Sequence, residues 1–133
     1  MENYLFQIDN VRNDLGFLGF LENGKTPFEI RRVYYIAEVP DGVKRGQHGH
    51  KKLQQVLICP TGSFGVKIIN KYGEKDYILD DPNIGLYVPE MSWRELYNFS
   101  SSSVCIVLAS ELYDREDYIF NFQDFFKLIQ SHS

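Results

Sequence analysis

The chain has 133 residues, of which 44% are apolar, 15% aromatic and 24% charged, and its formal net charge is −4. This length suits one core, and we expect residues 1–133 to form a single domain. The apolar fraction excludes an intrinsically disordered chain. The acidic balance argues against a general nucleic-acid binder, because neutralising phosphates requires clustered Lys and Arg.

The N-terminus and the cysteines indicate a compartment. Residues 1–7 lack the basic and apolar regions of a secretory signal, and no apolar run approaches the roughly 20 residues that cross a bilayer. Cys59 and Cys105 lie alone in short apolar runs, which favours buried thiols over a disulfide. We therefore expect a cytoplasmic protein without a membrane partner.

Short apolar runs separated by turn residues predict an all-β fold. We expect nine strands, at residues 16–22, 32–39, 47–51, 54–60, 63–70, 75–79, 84–88, 93–99 and 104–110. Turn signals such as Asn23-Gly24 and Thr61-Gly62 separate them. Many short strands at this spacing are typical of a β-sandwich or barrel.

Only the C-terminal segment has the pattern of a helix. From residue 117 to 130, aromatic and aliphatic residues recur at a spacing close to 3.6, at Tyr118, Phe122, Phe125, Phe126 and Ile129. Asp114 is the predicted N-cap, and acidic residues follow it at the positive end of the helix dipole. We expect this short helix to pack its aromatic face on the barrel or on a partner chain.

His48 and His50 are candidate site residues, because they lie two positions apart in a predicted strand. Side chains at i and i+2 of a strand point to the same face, so both imidazoles would enter one space. A lone histidine is more often a core residue with satisfied hydrogen bonds. Two on one face, within a basic segment, favour an acid–base site near neutral pH.

Two stretches resemble the paired motifs of the cupin superfamily. The first has a Gly, five residues, His-x-His, a polar residue and a later Gly, at Gly42, His48, His50, Gln54 or Gln55, and Gly62. The second has Gly85, Pro89, Arg94 and Asn98 at the motif positions. Together these resemblances imply a cupin-type β-barrel, the jelly roll, with a short C-terminal α-helix.

Departures from these motifs argue against a metal site. Gln54 or Gln55 stands where the usual Glu ligand would be, and Arg94 stands where the third His is usual. Gln is a poor neutral ligand, and Arg is cationic with no lone pair to donate. A guanidinium repels a divalent cation, and a catalytic metal needs about three protein ligands. We therefore expect no metal and no cofactor.

Basic residues surround the histidines in the sequence. Half of those in the chain are Arg31, Arg32, Lys44, Arg45, Lys51, Lys52 and Arg94. Some are interleaved with aromatic rings, since Arg32 is followed closely by Tyr34 and Tyr35, and Trp93 precedes Arg94. Arg binds a phosphate bidentately and a ring stacks on a base, so this pattern favours a nucleotide-sugar ligand.

Several segments resemble the dTDP-sugar 3,4-ketoisomerases of the cupin superfamily. They lie within residues 28–126 and include 32–36 (RVYYI), 45–53 (RGQHGHKKL), 55–59 (QVLIC), 85–88 (GLYV), 93–96 (WREL) and 107–110 (VLAS). The resemblance implies isomerisation of dTDP-4-keto-6-deoxyglucose to a dTDP-3-keto-6-deoxyhexose. Such products feed an aminotransferase that makes 3-amino-3,6-dideoxyhexoses for surface glycans such as lipopolysaccharide O-antigen. It also implies a metal-independent homodimer with exchanged N-terminal strands.

The same resemblance implies roles for individual residues. His50 is the expected base at C3, His48 a proton shuttle or oxyanion donor, and Arg94 or Tyr35 the electrostatic support. The other expected substrate-binding residues are Arg32, Arg45, Lys51 and Trp93. Leu15 and Arg94 are expected to govern product stereochemistry, because many family members have Arg and His at these positions. Arg94 favours the gluco product.

Two other functions stay open at this point. One is a dTDP-sugar 3,5-epimerase, which uses a similar barrel and also removes a proton beside a ketone. The other is a non-catalytic nucleotide-sugar-binding cupin, in which the histidines only bind. The position of proton exchange on the sugar separates these functions.

Overall fold

The computed structural model describes residues 1–131. Within this range it contains twelve strands, one 3₁₀ turn at Arg115–Asp117 and one helix. The elements are β1 (Tyr4–Gln7), β2 (Asp9–Asn13), β3 (Gly16–Phe20), β4 (Arg32–Ala37), β5 (Arg45–His50), β6 (Gln55–Thr61), β7 (Phe64–Asn70), β8 (Gly73–Leu79), β9 (Ile84–Val88), β10 (Ser92–Tyr97), β11 (Val104–Ala109), β12 (Tyr118–Ile119) and α1 (Phe122–Ser131).

Ten of these strands form two antiparallel sheets. One sheet has the order β1-β9-β6-β11-β4, and the other has the order β12-β5-β10-β7-β8. Strands β2 and β3 form a separate hairpin. Two packed antiparallel sheets with these crossovers are typical of a jelly roll. The predicted all-β cupin-type barrel with a short C-terminal helix is therefore confirmed.

The inner faces of the sheets meet in one apolar core. Leu57, Phe64, Val66, Ile68 and Leu86 are all nearly or completely buried there. Each such side chain contributes about 1.5–3 kcal/mol by leaving water, so the core holds the two sheets together. Both cysteines are buried in it and free of a disulfide, and burial raises the pKa of the Cys59 thiol to about 11.

The sequence does not predict three of the strands. β1 and β2 lie before the first predicted strand, and β2 is mostly polar, so neither has a clear apolar alternation. β12 is only two residues long and pairs with the edge of β5. β1 and β12 pair with strands that are distant in sequence, and β2 pairs with the next strand, β3, but is mostly polar. Local apolar patterns therefore do not reveal these strands.

The C-terminal helix begins later than the sequence pattern predicts. Asp114 does not cap it, because its side chain accepts a hydrogen bond from the Glu116 N–H in the 3₁₀ turn. The helix starts at Phe122, where the Asn121 side chain accepts from the Asp124 N–H at 3.0 Å. The predicted start at residue 117 was therefore wrong, because the first aromatic of the apparent stripe belongs to β12.

Helix α1 packs on its own chain, against the outer face of the sheet that contains β5 and β10. Phe125 is fully buried and contacts Trp93, with ring centroids 5.9 Å apart. Gly49 of β5 makes this close approach possible, because a Cβ there would lie 2.6 Å from the Phe125 ring. No helix within residues 1–131 is long and apolar enough to cross a membrane.

Candidate active site

A cavity of about 230 Å³ lies between the inner faces of the two sheets. Its polar wall comes from strands of both sheets and consists of Arg32, Tyr34, Arg45, His48, Gln55 and Arg94, with the ring of Tyr118 beside them. Leu57, Leu96 and Val107 form its apolar floor. A few convergent polar groups over an apolar base are the usual composition of a small-molecule site.

Strand β4 contributes Arg32 and Tyr34 to this cavity, and not Tyr35. Alternate residues of a strand point to opposite faces, and β4 alternates between half-buried and exposed positions along its length. Tyr35 is 73% exposed on the outer face. Tyr35, predicted as electrostatic support, therefore lies outside this cavity, and Tyr34 lines it instead.

The two histidines share one face of β5, opposite β10. Antiparallel pairing sets His48 across from Arg94 and His50 across from Ser92. The imidazole rings are perpendicular, and their centroids lie 4.8 Å apart. The two-residue spacing thus brings both rings together beside a guanidinium, as the sequence predicts.

The two histidines differ in access to the cavity. His48 lines it, whereas His50 is 1% exposed and is not among the residues of the cavity wall. The Tyr118 ring packs on His50 with centroids 4.2 Å apart and also faces the cavity. The Tyr118 ring thus lies between His50 and the cavity. Of the two histidines, His48 is the one that lines the cavity.

Both histidines are neutral at physiological pH. Burial, followed by the charge of Arg94, lowers the pKa of His48 to about 3. The same two causes, in the same order, lower the pKa of His50. A neutral imidazole has one nitrogen lone pair, so each ring carries one unprotonated nitrogen at neutral pH.

Asp117 is a site residue that sequence reasoning missed. Its carboxylate accepts the backbone N–H groups of Lys52 at 2.7 Å and Leu53 at 3.1 Å, and lies 3.3 Å from Nδ1 of His50. A carboxylate at Nδ1 fixes the tautomer that carries the hydrogen there. Asp117 and His50 are 67 positions apart, and no local motif signals their contact.

Arg94 is buried, 2% exposed, in the wall of the cavity. It donates through Nη1 to Oε1 of Gln55, and through Nη2 to the Ser92 carbonyl at 2.9 Å. Burial lowers its pKa to about 10, so it keeps its positive charge at neutral pH. The neighbouring Gln54 faces away from the cavity, and its Oε1 accepts from the Tyr87 hydroxyl at 2.7 Å.

The donor set of the cavity does not fit a metal ion. The guanidinium of Arg94 and the amide of Gln55 bond to each other where cupin ligands would converge. Neither group is a good ligand, and the charge of Arg94 opposes a cation. Within residues 1–131 no three His, Cys, Asp or Glu side chains are grouped to hold a metal. Metal independence stays a prediction that a chelator tests.

Three of the four basic residues predicted to bind the substrate line the cavity, namely Arg32, Arg45 and Arg94, and Lys51 does not. Arg32 lies 5.1 Å above the Tyr34 ring and 5.9 Å from that of Tyr113. Arg45 lines the cavity while remaining exposed to solvent. Lys51 follows the end of β5 and is exposed outside the lining, so its predicted contact is not supported.

Trp93 and Leu15 also lie outside the cavity of this chain. Trp93 precedes Arg94 on β10 and therefore points to the opposite face, where it packs on Phe122 at 5.3 Å. Leu15 is 95% exposed in the turn between β2 and β3. Trp93, predicted as a substrate contact, therefore does not reach this cavity, because neighbouring strand residues point to opposite faces.

Comparison with known proteins identifies the family. Residues 1–130 match the FdtA family, described as WxcM-like, C-terminal. The chain belongs to this family. A relative from Aneurinibacillus thermoaerophilus, a TDP-4-oxo-6-deoxy-alpha-D-glucose-3,4-oxoisomerase, is 42% identical over 130 residues, which is 97% of this chain and 94% of the relative. The predicted membership of the dTDP-sugar 3,4-ketoisomerases, and with it the isomerase class, is confirmed.

Two solved structures resemble this FdtA-family chain closely. A His-to-Asn variant of the 3,4-ketoisomerase QdtA from Thermoanaerobacterium thermosaccharolyticum, in complex with TDP-4-keto-6-deoxyglucose, is 38% identical, with a TM-score of 0.93 and coverage of 98% and 95% of the two chains. The TDP-quinovose 3,4-ketoisomerase WlaRB from Campylobacter jejuni is 39% identical, with a TM-score of 0.89 and coverage of 94% and 97%.

Proposed function

We propose that this protein converts dTDP-4-keto-6-deoxyglucose to dTDP-3-keto-6-deoxyglucose. The observation that carries the proposal is a neutral His48 that faces a buried cationic Arg94 across the wall of one small cavity. A base beside a fixed positive charge is the pair of groups that enolisation requires. The similarity to two proteins named as 3,4-isomerases of TDP-keto-sugars supports the choice of substrate.

The reaction follows from the acidity of a carbon beside a ketone. His48 removes the proton from C3, the electron pair forms a C3–C4 double bond, and the C4 oxygen gains negative charge. The enediolate then receives a proton at C4 and at the C4 oxygen, while the C3 hydroxyl loses its proton and becomes the new ketone. The reaction only transfers protons and shifts the carbonyl between C3 and C4 with no net oxidation or reduction, so no cofactor is needed. Arg94 stabilises the charge that develops.

The volume of the cavity indicates which part of the nucleotide sugar it encloses. Its volume of about 230 Å³ lies below the roughly 300–1,000 Å³ of sites that enclose a drug-sized ligand. We propose that it encloses the hexose ring alone. The diphosphate then lies outside, near the exposed guanidinium of Arg45, which is able to bind it bidentately.

The gluco configuration of the product rests on Arg94. An Arg at this position resembles the pattern of the family members that give gluco products. Its side chain lines the cavity beside His48. The similarity to an enzyme named for TDP-quinovose supports the same assignment. Leu15 is distant from the cavity wall of its own chain, so a role in stereochemistry requires the hairpin of a second copy.

We propose a homodimer with exchanged N-terminal strands. The β2–β3 hairpin exposes apolar side chains to solvent, among them Val11, Leu15 and Leu18 at 52%, 95% and 60%. Such a patch favours burial against a partner. Sedimentation equilibrium should give twice the chain mass of 15.5 kDa, and Leu18→Glu should give monomers. A wild-type protein that stays monomeric at micromolar concentration contradicts this proposal.

The product has chemistry that indicates its next step. A ketone at C3 is the group that a pyridoxal-phosphate aminotransferase converts to an amine. We therefore propose that the reaction supplies a 3-amino-3,6-dideoxyhexose for a surface glycan. Adding such an aminotransferase and glutamate to the assay below should yield a dTDP-linked 3-amino sugar.

The test of the proposed function is the identity of the product. Purified protein is incubated with dTDP-4-keto-6-deoxyglucose and the mixture is followed by NMR, with the His48→Asn/His50→Asn double variant as control. We expect a 3-keto sugar whose C4 proton has the large axial coupling of the gluco form, at the same rate with and without EDTA. A C5 epimer, the absence of turnover, or a rate abolished by EDTA would each contradict the proposal.

A further inference from the structure

The cavity wall carries more positive charge than its neighbours neutralise. Arg32, Arg45 and Arg94 line the cavity, and no Asp or Glu side chain lines it with them. None of the three arginines takes part in an ion pair formed among residues 1–131. The charge of Asp117 acts on Arg94, but its oxygens already accept two backbone N–H groups and lie beside His50. The cavity is therefore an electropositive site.

Two of these arginines also have N–H groups without acceptors. The Nε atoms of Arg32 and Arg94 are buried, and neither donates to an acceptor in the part of the chain that the structure describes. Nδ1 of His48 is buried and without a partner in the same way. Because Arg94 is only 2% exposed, bulk water does not compensate its charge. A buried cation with a free N–H favours a ligand that brings a negatively charged acceptor.

The bound substrate does not bring that charge into the cavity. The hexose of the proposed substrate is neutral, and its diphosphate lies outside, near Arg45. Negative charge develops in the cavity only in the enediolate, which is planar and has oxygens on two adjacent carbons. A site complementary to such a species binds stable analogues of it more tightly than it binds the substrate, by about 10²–10⁸-fold.

We propose that the cavity binds small planar anions with oxygens on adjacent carbons, such as oxalate and the small 2-oxo acids, in place of the hexose. This inference rests on the proposed function, because the enediolate defines the shape of the anion. The oxygens accept hydrogen bonds from the free Nε–H groups of Arg32 and Arg94. The volume of about 230 Å³ leaves room for such an anion together with water.

Binding of oxalate to the whole protein tests the proposal without turnover. The comparison anions are malonate, whose two carboxylates are separated by a further carbon, and acetate, which has one. At constant ionic strength, calorimetry should give oxalate a Kd at least about tenfold lower than that of either comparison anion, the difference that one charge-assisted hydrogen bond makes. At one hundred times its Kd, oxalate should raise Tm by roughly 5–10 °C.

Inhibition of turnover shows where the anion binds. In the NMR assay, oxalate at its calorimetric Kd should raise the KM of dTDP-4-keto-6-deoxyglucose about twofold and leave kcat unchanged, because the two ligands exclude each other. Inhibition that lowers kcat at saturating substrate would overturn the proposal, since it would place the anion outside the hexose position.

The arginine variants identify the groups that hold the anion. Arg32→Gln and Arg94→Gln remove one charge each from the cavity wall. Arg31→Gln is the matched control, because Arg31 is one position away, exposed, and 3.8 Å from Glu29 outside the cavity. The Kd of oxalate should rise about 10–100-fold in the two cavity variants and stay within about twofold in the control.

Four results would contradict the inference or the function on which it rests. Malonate or acetate bound as tightly as oxalate would overturn the inference, because charge alone would then explain binding. An unchanged oxalate Kd in Arg32→Gln would overturn it even if Arg94→Gln does not fold. Wild-type protein that isomerises the sugar but does not bind oxalate would overturn the inference alone. Wild-type protein that binds oxalate but forms no 3-keto sugar would instead overturn the proposed function.

Discussion

We expect His48→Asn to lower kcat by about 10²–10⁴-fold, the usual contribution of a general base. His48 lines the cavity and is neutral at physiological pH, since burial and Arg94 hold its pKa near 3. Asn is close in size and polar, but it has no basic nitrogen. The loss should therefore appear in turnover, measured by NMR at substrate saturation, while the fold persists.

His50→Asn is the matched variant for this measurement. We expect a smaller loss than in His48→Asn, because the Tyr118 ring separates His50 from the cavity. Circular dichroism and the urea midpoint of each variant control for folding. If His50→Asn loses far more activity than His48→Asn, the base is His50, and the side chain of Tyr118 must move aside in the reacting complex.

We expect Asp117→Ala to lower the free energy of unfolding by about 3 kcal/mol or more. The substitution leaves the partly buried N–H group of Lys52 and the buried N–H group of Leu53 without an acceptor, and also removes the partner of His50. An unsatisfied buried polar group costs about 1–3 kcal/mol. Urea denaturation of the wild type and the variant measures the difference.

Asp114→Ala provides the control for Asp117→Ala. Both carboxylates belong to the same short turn, but Asp114 is exposed and accepts only the N–H of Glu116. Loss of such a cap typically costs about 1 kcal/mol. Equal destabilisation in the two variants would show that the buried hydrogen bonds of Asp117 do not hold this part of the structure together.

Strand periodicity explains how much of the fold was predictable. Eight of the nine predicted strands correspond to strands of the two sheets of the jelly roll, and the ninth, at residues 16–22, corresponds to β3 of the separate hairpin. Most of them have apolar runs bounded by turn residues. The helix start was misplaced, since Tyr118 fits a helical spacing equally well. Its pairing with His50 in a two-residue strand is a tertiary contact that the spacing does not contain.

The site residues also divide into those that sequence spacing predicts and those that only tertiary contacts bring to the site. The two-residue spacing of His48 and His50 was sufficient to place both on one face. Tyr34 and Tyr35 point to opposite faces of β4, so the choice between them depends on which positions of the strand face inward. A change of one residue in that assignment exchanges the two side chains. Asp117 and Tyr118 reach the histidines from the C-terminal segment, so only the folded chain reveals them.

The departures from the cupin metal motifs turned out to be more informative than the matches. The sequence offered Gln54 and Gln55 equally as the residue in place of Glu. In the structure Gln55 faces the cavity and bonds to Arg94, whereas Gln54 bonds to Tyr87 on the other side. The two replacements are thus partners, and together they fill the ligand positions with a hydrogen-bonded pair.

The position of solvent hydrogen in the product tests the central claim most directly. The protein is incubated with dTDP-4-keto-6-deoxyglucose in D₂O, and the product is examined by ¹H and ¹³C NMR. Abstraction at C3 by His48, followed by return of a proton at C4, predicts a 3-keto sugar with deuterium at C4. Deuterium at C5, or recovery of unchanged substrate, would contradict the account of this cavity as a 3,4-ketoisomerase site.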